Sequence, residues 1–151
     1  MNKISAVHTA PVETLASAVL SVATPGEGFF EITGDAANFL RQIKARDGVV
    51  LLYLRHTSAS LVIQENADPD VLSDLERFMR RLVSRDEGLY RHTAEGPDDM
   101  PSHIRAALTQ SSLSIPFHAA RLALGTWQGL YVFEHRDAPH MREVLLHAIG
   151  D

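Results

Sequence analysis

The sequence predicts an α+β fold whose sheet is mostly antiparallel. Short strand-like runs fill both halves of the chain, and two or three helical segments lie between them. No repeat, low-complexity tract or linker interrupts the 151 residues, which makes a single domain long enough to bury a real core.

Residues 1–14 read as an N-terminal extension to a domain at 15–151. From Leu15 to Ala23 the chain is rich in Ala, Val and Leu and reads as a strand, with "TPGEG" (24–28) as a turn. A helix follows within 29–48, capped by Thr33 or Asp35, striped by Phe39, Leu40 and Ile43, and ended by Gly48. The apolar run 49–56 reads as a central strand covered on both faces, and 59–66 as a second strand.

"DPDVLSDLERFMRRLVSRD" is the clearest helix. Asp68 stands at the N-cap, where its carboxylate accepts orphan backbone N–H groups, and Pro69 follows where a missing donor does no harm. Val71, Leu72, Leu75, Phe78, Met79, Leu82 and Val83 form its expected buried stripe. "EGPDDMPSH" is a turn-rich loop entering a further helix, capped by Asp99 and running to about Leu108. "SLSIPF", "RLALG" and "GLYVFEH" read as short strands, while "REVLLHAI" suits a strand or a helix.

Composition narrows the function classes. With 45% hydrophobic and 22% charged residues the chain reads as a soluble globular protein. A formal net charge of −5 argues against nucleic acid or an anionic membrane as the main partner. There is no cysteine, so a bound metal must be held by His, Asp, Glu or amides. The longest apolar run, Val49 to Leu54, is too short to span a bilayer. The N-terminal segment, broken by His8, Pro11 and Glu13, makes no signal peptide, so the cytoplasm is the expected compartment.

Chemistry concentrates in three places. Val50, Leu52, Leu54 and His56 share one strand face, so the imidazole emerges at the end of an apolar strip beside Thr57, Ser58 and Ser60. His92 and His103 bracket "TAEGPDDMPS", a spacing only a folded loop can close. The helix dipole at His103 favours the neutral imidazole a metal requires. Glu134, His135 and Arg136 close a strand, as at the mouth of a site or in open solvent. Trp127, between two glycines, either packs or offers a stacking platform. No nucleophile elbow, Walker loop or dinucleotide fingerprint is present.

Three segments together, "HTSASLVIQENADPDV" (56–71), "YRHTAEGPDDMPSHI" (90–104) and "RLALGTWQGLYVFEHR" (121–136), resemble the YjbQ family, also described as secondary thiamine-phosphate synthases. The resemblance spans about residues 15–150 and departs from the common pattern at Gln64. It implies a jelly-roll-like β-sandwich with flanking helices, assembled as a homotrimer. It also implies a pocket where His56, His92 and His103 converge on a metal ion, with Glu134 carried over rather than His135. The associated activity joins a pyrimidine pyrophosphate to a thiazole phosphate.

On this reading Glu65, Glu134 and Ser58 are the candidate catalytic groups. Arg55, Asn66, Arg91, Arg105 and Trp127 are the candidate substrate contacts, the arginines by pairing with phosphate oxygens. The cofactor is a divalent ion, zinc or another transition metal by the preference of imidazole, or magnesium by the preference of pyrophosphate. Two alternatives stay open: a metal-assisted hydrolase of a small phosphorylated substrate, and a non-catalytic trimer that holds a metal or ligand.

Overall fold

The computed structural model describes residue 7 and residues 9–151. Its strands are β1 (Thr14–Thr24), β2 (Gly28–Glu31), β3 (Gly48–Leu54), β4 (Ala59–Glu65), β5 (Ser112–His118), β6 (Arg121–Leu122), β7 (Gln128–Glu134) and β8 (His140–Gly150). The helices are α1 (Thr33–Ile43), α2 (Pro69–Leu82) and α3 (Asp99–Leu108), with a short 3-10 turn at Glu87–Leu89. Five strands pair in the order β1-β8-β3-β5-β6 and three in the order β2-β7-β4. Every pairing is antiparallel. Much of the expected N-terminal extension, residues 1–6 and 8, lies outside the described residues, and β1 begins at Thr14.

One apolar core joins the two sheets. Val50, Leu52, Leu54, Val144, Leu146 and Ala148 from the larger sheet meet Leu61, Leu130 and Val132 from the smaller, and Phe39 and Leu40 of α1 close one side. The period-two alternation of β3 places Val50, Leu52 and Leu54 in this core, as expected from the sequence. β8 resolves the ambiguity of "REVLLHAI" as a strand, because Val144, Leu146 and Ala148 alternate inward along an eleven-residue ladder with β1.

Four expectations are corrected. β3 is covered on one face only: Val49 and Tyr53 on the other side are 38% and 44% exposed, and among the described residues no helix lies over them. The stripe of α2 is not a buried one. Met79 and the adjoining Val83 are buried, Leu75 is half-buried, and Phe78 and Leu82 are 50% and 56% exposed. The helix leans on the smaller sheet through Leu75 and Met79 over a small apolar cavity shared with Phe29, Val62 and Phe133, and Phe78 and Leu82 fall on its outer flank.

The caps are the other two. Helix α1 has Ile32 at its N-cap without a side-chain bond and ends at Lys44 in the left-handed region, φ 59°. Gly48 instead opens β3, where a Cβ would run into Ile149 O. Asp98, not Asp99, occupies the N-cap position of α3, and it makes no capping bond there. Asp68 does cap α2, accepting from Asp70 N–H at 2.9 Å ahead of Pro69.

Candidate metal centre

Helix α3 begins with Asp99, and His103 follows one turn later on the same face, which brings a carboxylate and an imidazole together by helical spacing alone. The loop before α3 turns back through Gly96, at φ 103°, and lays His92 over the same carboxylate. His92 Nε2 lies 2.6 Å and His103 Nε2 3.4 Å from Asp99 Oδ2. One ligand atom from each of the three residues falls within 4.8 Å of the others. The two imidazole centroids are 5.6 Å apart.

The orientation of His103 is set from behind. Its Nδ1–H donates to the Thr57 carbonyl at 2.9 Å, which in the neutral ring leaves the Nε2 lone pair facing the Asp99 carboxylate. A proton on Nε2 or a bound cation would each satisfy a lone pair and a carboxylate oxygen at that separation. Two imidazoles and a carboxylate are a donor set that zinc and other transition metals accept.

His56 stands beside this group rather than in it. It shares with His103 a cavity of about 290 Å³, walled by Ala59, Ala106 and Ala107 and reached by the hydroxyls of Thr57 and Ser111. Its Nε2 is engaged: Glu143 N–H donates to it at 2.9 Å, which puts the ring proton of the neutral imidazole on Nδ1, 3.5 Å from Arg142 Nη1. Burial first, and then the Arg142 guanidinium, hold its pKa below the usual imidazole range. The structure thus groups Asp99, not His56, with His92 and His103.

Glu134 is fully buried and saturated. Arg142 Nε and Nη2 donate to its two oxygens at 2.6 and 2.5 Å, Thr24 Oγ1 at 2.7 Å, and the backbone N–H groups of His135 and Arg136 at 3.1 and 3.0 Å. Burial pushes its pKa up, but the bonds from Arg142, Thr24 and the backbone outweigh that and hold the carboxyl below its ordinary value. A carboxylate so occupied is a structural counter-ion with no lone pair open to a substrate proton. Ser58 is buried in the same network, its Oγ accepting from Arg142 Nη2 at 2.9 Å.

Glu65, Asn66 and Trp127 gather elsewhere. Strand β4 runs away from the histidines, so Glu65 lies six residues beyond Ala59, about 20 Å at about 3.3 Å per residue. There Asn66 N–H donates to Trp127 O at 3.1 Å, and the indole is 64% exposed. Within one chain these three residues do not share the cavity of His56 and His103.

The arginines also divide. Arg55 is half-exposed, lines a neighbouring depression with His56, Thr57 and Ser111, and pairs with Glu143 at 2.6 Å, and Arg91 is exposed next to His92. Arg105 is fully buried and donates through Nη1 to Glu27 at 2.6 Å, while its Nε and Nη2 are buried without a hydrogen-bond partner among the described residues. His135 is buried with Nε2 2.8 Å from Ser60 Oγ, its pKa pushed down to about 3 by burial and then by Arg105.

Reading the sequence missed Asp99 as a candidate ligand and missed Arg142 altogether. The i, i+4 spacing of Asp99 and His103 was a visible signal for the first. Nothing local marks Arg142, whose partners lie on distant strands and on the Ser58 turn.

Fold and site define the class: a one-domain protein of two antiparallel sheets carrying a His-Asp-His cluster beside a small, largely apolar cavity. The model of the UPF0047 protein YjbQ-like family matches residues 18–151, and the chain belongs to that family. It is 48% identical over 133 residues to a UPF0047 protein of Synechocystis, covering 88% of this chain and 90% of that one. The YjbQ protein of Escherichia coli is 41% identical over 133 residues, covering 87% and 96%. Among solved structures, a conserved hypothetical protein of Thermus thermophilus superposes with a TM-score of 0.76 at 36% identity over 85% of this chain and 97% of that one. A YbjQ-like protein of Sulfolobus solfataricus shares the fold, with a TM-score of 0.80 at 15% identity over 91% and 100% of the two chains.

Proposed function

We propose that this chain is a metal-dependent enzyme acting on a small phosphorylated substrate. The observation that carries the proposal is the His103 Nε2 lone pair turned, by the Thr57 carbonyl behind it, toward the Asp99 carboxylate that His92 also faces. His92, Asp99 and His103 would hold the ion, zinc or another transition metal by donor type, with magnesium the weaker fit. When bound, such an ion supplies Lewis-acid polarisation of a phosphate oxygen or an acidified water.

The chain's own groups do the rest. Ala59, Ala106 and Ala107 give the cavity an apolar wall for a small ring, and Thr57 and Ser111 supply hydroxyls to orient it. Arg55 and Arg91, both accessible, are the phosphate contacts, and His56 is the neutral imidazole at the cavity wall. The resemblance to secondary thiamine-phosphate synthases supplies the reaction: joining a pyrimidine pyrophosphate to a thiazole phosphate with release of pyrophosphate. Metal-assisted phosphate hydrolysis is the second reading, favoured by the two imidazoles in the donor set.

The same proposal includes a homotrimer working in the cytoplasm. Leu15, Val19, Val49, Tyr53 and Ile149 form an exposed apolar face on the larger sheet, which a neighbouring copy would cover. Among the described residues no helix is long and apolar enough to cross a membrane.

Equilibrium dialysis of untagged protein against zinc and cobalt, paired with pyrophosphate- and phosphate-release assays, tests the proposal. One ion per chain is expected for the wild type, with loss of binding and turnover in Asp99→Asn and His103→Ala. Wild-type protein that retains no transition metal overturns it.

A further inference from the structure

We infer that Arg136 is the positioning residue of the metal centre proposed above, on which this inference rests: it takes one oxygen of Asp99 and leaves the other to the ion. The side chain leaves the turn after β7 and reaches across to the start of α3. Its Nε donates to Asp98 Oδ2 at 2.9 Å, Nη1 donates to Asp99 Oδ1, and Nη2 donates to the Glu95 carbonyl at 3.0 Å. One guanidinium therefore ties three residues of the loop that ends in Asp99 and carries His92 at its other end.

Two consequences follow from the chemistry. Asp98 and Asp99 are adjacent and both buried, and two carboxylates so placed repel each other unless a cation lies against both. Arg136 is that cation, itself only 14% exposed. With Oδ1 committed to the guanidinium, Oδ2 is the oxygen facing both imidazoles, so Asp99 serves as a monodentate ligand. A three-atom protein shell then keeps coordination positions open for substrate or water, as a catalytic site needs and a closed structural site does not.

The pattern requires the planar fork of arginine. A lysine ammonium offers a point charge and cannot reach Asp98, Asp99 and Glu95 from one position. Asp98 touches the guanidinium and Asp137 N–H, the latter at 2.9 Å, but neither imidazole. It thus separates loop support from ligand positioning.

Cobalt(II) titration of untagged protein, read by visible absorption, tests the inference in wild type, Arg136→Lys, Arg136→Met and Asp98→Asn. Expected for both Arg136 variants is a loss of about 10–100-fold in cobalt affinity. A changed d–d band should accompany it as the freed oxygen joins the ion. Asp98→Asn should lose less and keep the wild-type band. Metal-free circular dichroism melts establish that each variant is folded, and Arg136→Lys carries the test if Arg136→Met is not. Folded Arg136 variants that match wild type within twofold, with an unchanged band, overturn the inference alone. Wild type that binds no cobalt overturns the metal reading and the inference with it.

Discussion

Arg142→Met probes the buried ion pair between Arg142 and Glu134. Arg142 and Glu134 have side chains 4% and 0% exposed, and they meet through two bonds of 2.6 and 2.5 Å. Methionine keeps much of the volume of the arginine stem and removes the charge. Glu134 is then left buried with Thr24 and two backbone N–H groups as donors and no counter-charge. Breaking a buried pair from one side costs about 3–5 kcal/mol. With a urea m-value of roughly 1.5 kcal/mol/M, the unfolding midpoint should fall by about 2–3 M.

The pH dependence has a definite sign. In wild type the depressed Glu134 pKa adds stability above the unfolded carboxyl value, and this is lost as pH falls through the folded one. In Arg142→Met burial is opposed only by Thr24 and the backbone N–H groups, so that pKa rises relative to wild type and acidification relieves the buried charge. The gap between variant and wild type should therefore narrow as pH drops toward and below the ordinary carboxyl range. Urea titrations followed by circular dichroism, with metal stripped by chelator and chain concentration held fixed, give both quantities. A loss under about 1 kcal/mol, or a gap that widens in acid, would refute the buried-pair account.

Three further outcomes are expected. Leu61→Ala, at a fully buried core position, should lose about 2–5 kcal/mol by urea unfolding, and Leu75→Ala, only half-buried on α2, less than half as much. Glu27→Gln removes the carboxylate shared by Arg80, Arg85 and buried Arg105, and thermal melts should show it among the most destabilising changes on the helix side. His135 is held neutral to about pH 3 when folded, while the unfolded ring takes a proton near pH 6.5. Stability should accordingly fall as pH drops through that window, and His135→Gln should flatten the slope of unfolding free energy against pH.

Much of the scaffold was legible locally. Asp68 and Pro69 start α2 because a side-chain acceptor and a donorless residue satisfy a helix end without outside help. Alternation placed Val50, Leu52 and Leu54 inward, and the polar loop between His92 and His103 marked where two imidazoles and a carboxylate come together. The β3 alternation and the α2 cap depend on neighbours in the chain, so a single sequence carries them.

What the tertiary structure decided was which charges and faces found partners. Asp99 turned one oxygen to His92 and His103 once the loop before α3 folded back, and Glu134 was saturated by Arg142 and Thr24 through bonds that join separate strands. Phe78 and Leu82 kept the helical period of a buried stripe yet stayed exposed, because only the Leu75, Met79 and Val83 side of α2 is covered. Glu65 went to the far end because an antiparallel strand carries successive residues steadily away from its first. Helical and strand periods follow from the geometry of a few adjacent peptide units, whereas burying a charge demands a counter-charge wherever in the chain one can be brought.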